Sequence, residues 1–473
     1  MSIRLYDTLE KEKRAFEPRE PGRVRMYNCG PTVYGRAHIG NLRSFLFADL
    51  LRRWLEVRGF EVRQVMNLTD VGHMTQDDED HGTDKLENQA RKESRSPWEI
   101  AQQWIDVFHQ DLEALGVRPA HEYPRATDHI AQMLEIIERL MEQGHAYEKN
   151  GAVYFSVQSF PRYGALSGNR IEDLEAGARL DVHPDKKHPA DFALWKSDPQ
   201  HLMKWDSRFG PDGFPGWHIE CSAMAREHLG DELDIHTGGE DNVFPHHECE
   251  IAQSEAFSGQ RFARHWMHAK FLQVDGGKMS KSLGNVYSLD DVRERGFEPR
   301  AFRYALLTGH YRQPLNFTWK LMADSAKALE KLDDLVLRLR ERAGEEGAAD
   351  AEASAAVAED RRAFEEAMDD DLLTPKALAS LFGLRDRALR GELCPAAAQA
   401  GMDFLEQVVQ PAFGVLQLEE QSLDDEVEAL IQARQTARAN KDWGEADRIR
   451  DALSAMGIVL EDSADGVRWR RGG

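Results

Sequence analysis

The chain has 473 residues, 41% of them apolar and 30% charged, with a formal net charge of −23. At about 100–200 residues per domain this allows two to four domains. The acidic balance excludes indiscriminate nucleic-acid binding, because phosphate contacts need Lys and Arg, but it leaves room for a local patch. No run approaches the ~20 apolar residues of a membrane helix. Met1 to Asp7 lack the apolar core of a secretory signal, so a cytoplasmic protein with no membrane contact is expected. Four cysteines, Cys29, Cys221, Cys249 and Cys394, are too few and scattered for a disulfide scaffold. Metal binding or catalysis is the better expectation for any with a role beyond packing.

In chain order, Val24–Tyr27 predicts a short strand running into the turn-rich Asn28–Thr32. From Asn41 the residues Leu42, Phe45, Leu46, Leu50, Trp54 and Val57 recur at helical spacing, Gly59 stops the helix, and Val62–Leu68 predicts the next strand. This βαβ unit implies a parallel sheet, in which ligands sit at the carboxyl ends of the strands. Cys29 falls at such an end. The acidic Gln76–His81 reads as a solvated loop. Residues 120–195 combine a helix near Ile130–Met141 with a strand at Val153–Val157. They read as an insertion, because strand-and-loop signals resume at Phe214–Ile219 and Leu233–His236. Leu272–Val274 is another strand, ending in Asp275-Gly276-Gly277. Beyond about residue 320 helices take over, and the low-complexity Ala343–Ala358 predicts a connection or a solvated helix edge. From Glu426 onward eight Lys+Arg face nine Asp+Glu, near neutral in an acidic chain. Arg434, Arg438 and Lys441 are expected to share one helical face, either solvated or phosphate-contacting.

Three signals carry chemistry. His38-Ile39-Gly40-Asn41 opens a helix after a strand-following loop, where backbone N–H groups and the helix dipole favour phosphate. Gly40 allows close backbone approach, and His38 can donate to phosphate oxygens as charge builds. Lys278-Met279-Ser280-Lys281-Ser282 sets two lysines three apart in a Gly-flanked loop, suited to neutralising a triphosphate that leaves as pyrophosphate and to closing over a substrate. The third signal is a set of zinc-type donors: Cys29, Cys221 and the run Pro245-His246-His247-Glu248-Cys249-Glu250. With Pro245 opening a helix, His246 and Glu250 share a face at i, i+4. Cys249, three residues from His246, remains an alternative to Glu250 as the fourth ligand. Thiolate, imidazole and carboxylate all ligate zinc.

Together these residues resemble the class I aminoacyl-tRNA synthetases, and within them the cysteinyl-tRNA synthetase family. The resemblance runs along essentially the whole chain. Further strings that carry it are Cys29-Gly30-Pro31-Thr32-Val33-Tyr34, Gly216-Trp217-His218-Ile219-Glu220-Cys221, Asp234-Ile235-His236-Thr237-Gly238-Gly239, Ile251-Ala252-Gln253-Ser254 and Asp442-Trp443-Gly444-Glu445-Ala446-Asp447-Arg448. It implies an α/β fold: a Rossmann-type parallel-sheet catalytic domain (1–120 and 196–265) with a connective insertion (121–195) and a stem-contact region (266–320). An α-helical bundle (321–420) and a small C-terminal anticodon-binding domain (421–473) would follow. It implies zinc on Cys29, Cys221, His246 and Glu250, receiving the cysteine thiolate. Thr69, Trp217, His236 and Asp241 would line the amino-acid pocket. ATP with Mg²⁺ would be handled by His38, Asn41, Lys278 and Lys281, with Gly40 and Gly239 beside the nucleotide. The partners implied are L-cysteine, ATP and tRNA(Cys), for a monomer. One position departs from the family signature, which usually ends in a second histidine where this chain has Asn41. Asn donates but cannot become cationic, so an altered ATP contact is expected there. The alternatives are a related ligase joining cysteine to an amino sugar in mycothiol synthesis, or a non-catalytic RNA-binding paralogue.

Overall fold

The computed structural model describes residues 2–71, 74–76, 81–171, 184–280, 283–419, 425–456, 458–463 and 466–471. Lys281 and Asp77–Asp80 of the acidic stretch lie outside them. The chain forms two units, up to Leu416 and from Gln417.

At the centre of the first unit four strands run parallel. They are β1 (Arg23–Asn28), β2 (Glu61–Met66), β3 (Leu233–Gly239) and β4 (Ala263–Ala269), in the spatial order β4-β3-β1-β2. All seven residues of β3 are buried, as expected of a strand covered on both faces. Helix α1 (Ile39–Val57) joins β1 to β2 and buries Leu42, Phe45, Leu46, Leu50 and Trp54. It ends at Arg58, followed by Gly59 at φ +87°. Helices α2 (Ile219–Leu229) and α3 (Glu248–Ser258) flank β3 in sequence. From β1 the chain moves outward to β2 on one side, and the later strands fill the other. The carboxyl ends of β1 and β3 therefore border the crevice where doubly wound sheets bind ligands.

The insertion between β2 and β3 contains a separate five-stranded antiparallel sheet. Of Phe214–Ile219, where the sequence suggests that the main sheet resumes, Phe214 and Pro215 instead end the strand Gly210–Pro215, which pairs antiparallel with Phe192–Ser197, and Ile219 opens α2. The reason is local: a Cβ on Gly213 would lie 2.1 Å from Trp195 Nε1, so only glycine lets the buried indole cross that strand. The return to the main sheet comes with α2.

Leu272–Val274 pairs with Gly277–Lys278 and, in parallel, with Leu315–Phe317. Helices Trp319–Ala343, Ala351–Asp369, Thr374–Leu389 and Pro395–Phe404 follow. The Ala/Glu/Gly-rich segment divides between the two expected roles: one helix stops at Ala343, and the next starts at the Asp350 cap and buries Ala353 and Val357.

The second unit consists of helices Asp425–Ala439 and Trp443–Ala455 and a hairpin, Ile458–Ser463 with Gly466–Arg471. Val427, Ile431, Ile449, Leu453 and Ile458 form its core. The expected basic face does not form. Arg434 is 5% exposed, and Lys441 lies past the helix end at φ +62°.

Candidate active site and metal centre

The loop after β1 is held tightly. Cys29 N donates to Thr237 O of β3 (3.1 Å), and Gly30 N donates to Asn67 Oδ1 (2.8 Å). A Cβ on Gly30 would sit 1.7 Å from the Asn67 carbonyl oxygen, which is backbone and cannot yield cheaply. Gly30→Ala is therefore expected to destabilise the first unit by about 3 kcal/mol, read as a lowered thermal midpoint. It should also shift Cys29.

Cys29, Cys221, His246 and Glu250 converge: one donor atom from each lies within 4.8 Å of all the others. They come from the end of β1, the first turn of α2, a wide turn at Val243–His247, and α3. Pro245 lies inside that turn, so α3 starts later than the sequence suggests. The i, i+4 pair survives, with His246 Nε2 3.0 Å from Glu250 Oε1. A second set, Cys29, His236, His247 and Glu250, meets the same distance limit. There Cys29 Sγ is 3.0 Å from His247 Nε2 and 3.7 Å from Glu250 Oε1. Cys249 belongs to neither set, and its Sγ is 3.5 Å from the Tyr163 hydroxyl.

The electrostatics suit a cation. Burial, and then the neighbouring Cys221, push the Cys29 thiol well up. A hydrogen bond from Cys29, outweighing burial, brings Cys221 down to about 6. Burial opposes ionisation of Glu250, yet the His236 and His246 rings hold its carboxyl at about 2. Burial likewise opposes the charge on His246, but Glu250 and Cys221 push its basicity well above the usual imidazole range. These directions favour a thiolate, a carboxylate and an imidazolium together in one buried pocket. A divalent ion that displaced the ring proton would satisfy all of them. By its donor chemistry the cluster can hold a metal ion.

Histidines surround these donors. His236 Nε2 is 2.8 Å from Glu250 Oε2, with Trp266 stacked on its ring at 4.5 Å. His236 is 0% exposed, and this contact helps fix the orientation of the carboxylate. His218 Nδ1 is 3.0 Å from His246 Nδ1. His247 Nδ1 is 2.7 Å from His268 Nε2, whose other ring nitrogen is 2.8 Å from Thr8 Oγ1. The sequence assigns no role to His218, His247 or His268. The available signal was density: seven of the eighteen histidines fall between His218 and His268.

Of the remaining pocket candidates, Trp217 is half-buried with its ring 4.9 Å from that of His246. Thr69 pairs with the Cys29 loop through its backbone and accepts from Asn67 Nδ2 at 3.0 Å. Asp241 is exposed just past the end of β3, where a Cβ on Gly239 would lie 2.3 Å from its Oδ1 and 3.3 Å from Ser44 Oγ of α1.

His38 caps α1. Its Nδ1 accepts from Gly40 N (3.1 Å) and Asn41 N (3.2 Å), while Asn41 Oδ1 accepts from His38 N (3.2 Å). The Asn41 carbonyl oxygen thus completes a capping box, a role a protonated histidine could not fill. The nearest atom to a Cβ on Gly40 would be Met279 Cε at 2.3 Å, so the two signature segments touch. Asn285 ties the Lys278 loop, accepting from Ser280 N (2.8 Å) and donating to Lys278 O (3.2 Å).

Sheet order, crevice and paired signature segments define a class I aminoacyl-tRNA synthetase core. Residues 15–327 match the family described as tRNA synthetases class I (C) catalytic domain, 363–417 a DALR domain, and 420–470 a cysteinyl-tRNA ligase anticodon binding domain. The chain is 47% identical to a cysteine–tRNA ligase of Symbiobacterium thermophilum, with 100% of both chains covered. It is 44% identical to one of Thermus thermophilus, with 99% of both covered. The chain belongs to the cysteine–tRNA ligase family. Among solved structures, a Mycobacterium tuberculosis methionyl-tRNA synthetase bound by methionyl-adenylate superposes with TM-score 0.62 at 15% identity, covering 84% of this chain and 92% of that one. An Agrobacterium radiobacter LeuRS in ternary complex with tRNA and LeuAMS gives 0.61 at 13%, covering 85% of each. At such identities the likeness concerns the fold. No helix among the described residues is long and apolar enough to cross a membrane.

Proposed function

We propose that this chain activates L-cysteine with ATP and passes the cysteinyl group to the 3′ end of tRNA(Cys), selecting cysteine through a zinc ion on Cys29, Cys221, His246 and Glu250. The observation that carries the reading is the convergence of those four donors at the carboxyl ends of β1 and β3. Bound there, zinc would supply a soft Lewis acid that prefers a thiolate to the serine hydroxyl, a distinction of one atom that pocket size alone makes poorly.

The residues of the chain do the rest by placement and charge. Trp217 and Thr69 would bound the cysteine, His236 would line the pocket from beside Glu250, and the exposed Asp241 would meet the ammonium group. The cysteine carboxylate attacks the ATP α-phosphorus; a carboxyl oxygen–phosphorus bond forms and the bond to pyrophosphate breaks. His38, held by the N–H groups it accepts from, presents its other ring nitrogen to the phosphates. Lys278 and Lys281, with Mg²⁺ on the nucleotide, would balance the departing charge. Gly40 and Gly239 would leave room for the nucleotide. A hydroxyl of the terminal adenosine then attacks the acyl carbon and AMP leaves.

The proposed division of labour keeps 1–120 and the segment from α2 to residue 265 as the catalytic halves. The insertion between them extends to Pro215, 266–320 carries the lysine loop, 321–420 the bundle, and 421–473 the anticodon contacts. The test is cysteine-dependent ATP–pyrophosphate exchange on the full chain, followed by transfer to tRNA(Cys) or to glucosaminyl-inositol. Exchange and tRNA charging with cysteine, and neither with serine, is the expected result. Absence of exchange would overturn the reading, and transfer only to the sugar would select the mycothiol-type ligase.

A further inference from the structure

Arg36, two residues ahead of His38, takes part in none of the chemistry above, yet it is gripped from two sides. Its Nε is 3.0 Å from Asp111 Oδ2 and its Nη2 is 2.6 Å from Asp111 Oδ1, a bidentate fork onto a carboxylate with 0% side-chain exposure. Asp111 lies in the helix Pro97–Ala114, which is anchored in the first unit by Ile100, Ile105, Phe108 and Leu112. The remaining guanidinium nitrogen, Nη1, pairs with Asp290. Asp290 opens the short helix Leu289–Glu294, directly downstream of the Lys278 loop. Arg293 closes the quartet, 2.9 Å from Asp290 Oδ1 and 3.8 Å from Asp111 Oδ1. Two arginines and two aspartates thus balance.

The connection continues to the lysine loop. Ile39 N donates to Tyr287 O (2.8 Å), between Asp290 and Asn285. Asn285 in turn holds Ser280 N and Lys278 O. Met279 reaches back over Gly40. The downstream stem of the lysine loop is therefore fastened to the His38 loop at one backbone bond and one charge pair, and Arg36 refers both to a buried carboxylate.

We propose that Arg36 is a positioning residue for adenylate formation: its Asp111–Asp290 bridge fixes the distance between the His38 loop and the Lys278 loop. The proposal rests on the reading that these two loops handle the ATP phosphates. Arg36 itself touches no substrate.

The test uses the full-length enzyme with Arg36→Gln, Arg36→Lys and Asp290→Asn, with Lys278→Ala as a control on the reading beneath. ATP–pyrophosphate exchange gives kcat/KM for ATP and the KM for cysteine, and trypsin reports accessibility of the peptide bond after Lys278. Arg36→Gln should lower kcat/KM for ATP about tenfold and Asp290→Asn about threefold, with the cysteine KM moving less than about twofold. Arg36→Lys, which keeps the charge and loses the fork, should fall between wild type and Arg36→Gln. Cleavage after Lys278 should speed up in the same order. A lowered thermal midpoint with unchanged ATP kinetics and cleavage would make the bridge merely structural and overturn the proposal. If Arg36→Gln does not fold, the half-exposed Asp290 decides: unchanged ATP kinetics and cleavage in Asp290→Asn overturn it. If Lys278→Ala leaves exchange intact, the ATP reading fails separately, and faster cleavage in the Arg36 variants still supports the bridge while unchanged cleavage overturns it.

Discussion

Cys221→Ser is expected to strip most of the zinc from the purified protein and to raise the KM for cysteine about 100-fold. The hydrogen bond from Cys29 brings the Cys221 thiol down, helped by the His246 ring beside it, whereas burial pushes Cys29 up. A serine hydroxyl there stays protonated and hard, leaving one reluctant thiol, one imidazole and one carboxylate. Metal content by atomic emission and the cysteine KM should move together, with the KM for ATP nearly still. Retention of both would remove the zinc assignment. The same measurement separates the two donor sets: His246→Ala should lose metal as Cys221→Ser does, and His247→Ala should lose much less. The reverse order would place the ion on His236 and His247.

Lys278→Ala should lower kcat for ATP–pyrophosphate exchange about 10²–10³-fold, the range typical of removing one preorganised charge-stabilising group. Its backbone position is fixed on both sides, by the register with Gln273 and by Asn285 Nδ2 on its carbonyl. The substitution therefore removes an ammonium group without loosening the loop. Cysteine KM and bound zinc should stay within about twofold of wild type, because Lys278 lies on a different element from all four donors. Transfer from preformed cysteinyl-adenylate to tRNA in a single turnover should be spared. Loss of transfer as well would mean that the lysine acts in both steps.

The parallel sheet was legible because its evidence is local: Val24–Tyr27, the helical spacing after Asn41 and the Gly59 stop lie within one βαβ unit. Cys29, Cys221 and the His246–Glu250 run stood out because few residue types bind soft metals, but the residues alone left Cys249 beside Glu250, and the set of four came from the family resemblance. Pairing partners were not legible. Phe214 reads equally well as a strand of either sheet, and its pairing with Lys196, beside the Trp195 indole that crosses Gly213, exists only in the folded chain. The histidines around these donors escaped for a related reason. His218, His247 and His268 acquire roles only once β3, β4, α2 and α3 are packed, and a sequence shows their density without their contacts. Arg434 shows the opposite error, since a basic i, i+4 pattern predicts a face and says nothing about burial.

The insertion has a consequence for the newborn chain. Cys29 and Glu250 meet across 221 residues of sequence, so on the ribosome the first cysteine emerges long before any partner that could share a metal ion with it. Strand β1 likewise waits for β3, its hydrogen-bonded neighbour on that side, until the antiparallel sheet of the insertion has been made. Domains fold as they emerge, N-terminal parts first. A truncated product ending before α2 would therefore carry an open sheet edge and a lone buried-type thiol. Such fragments should aggregate rather than persist, and metal uptake by the four donors should begin only once α3 has cleared the exit tunnel.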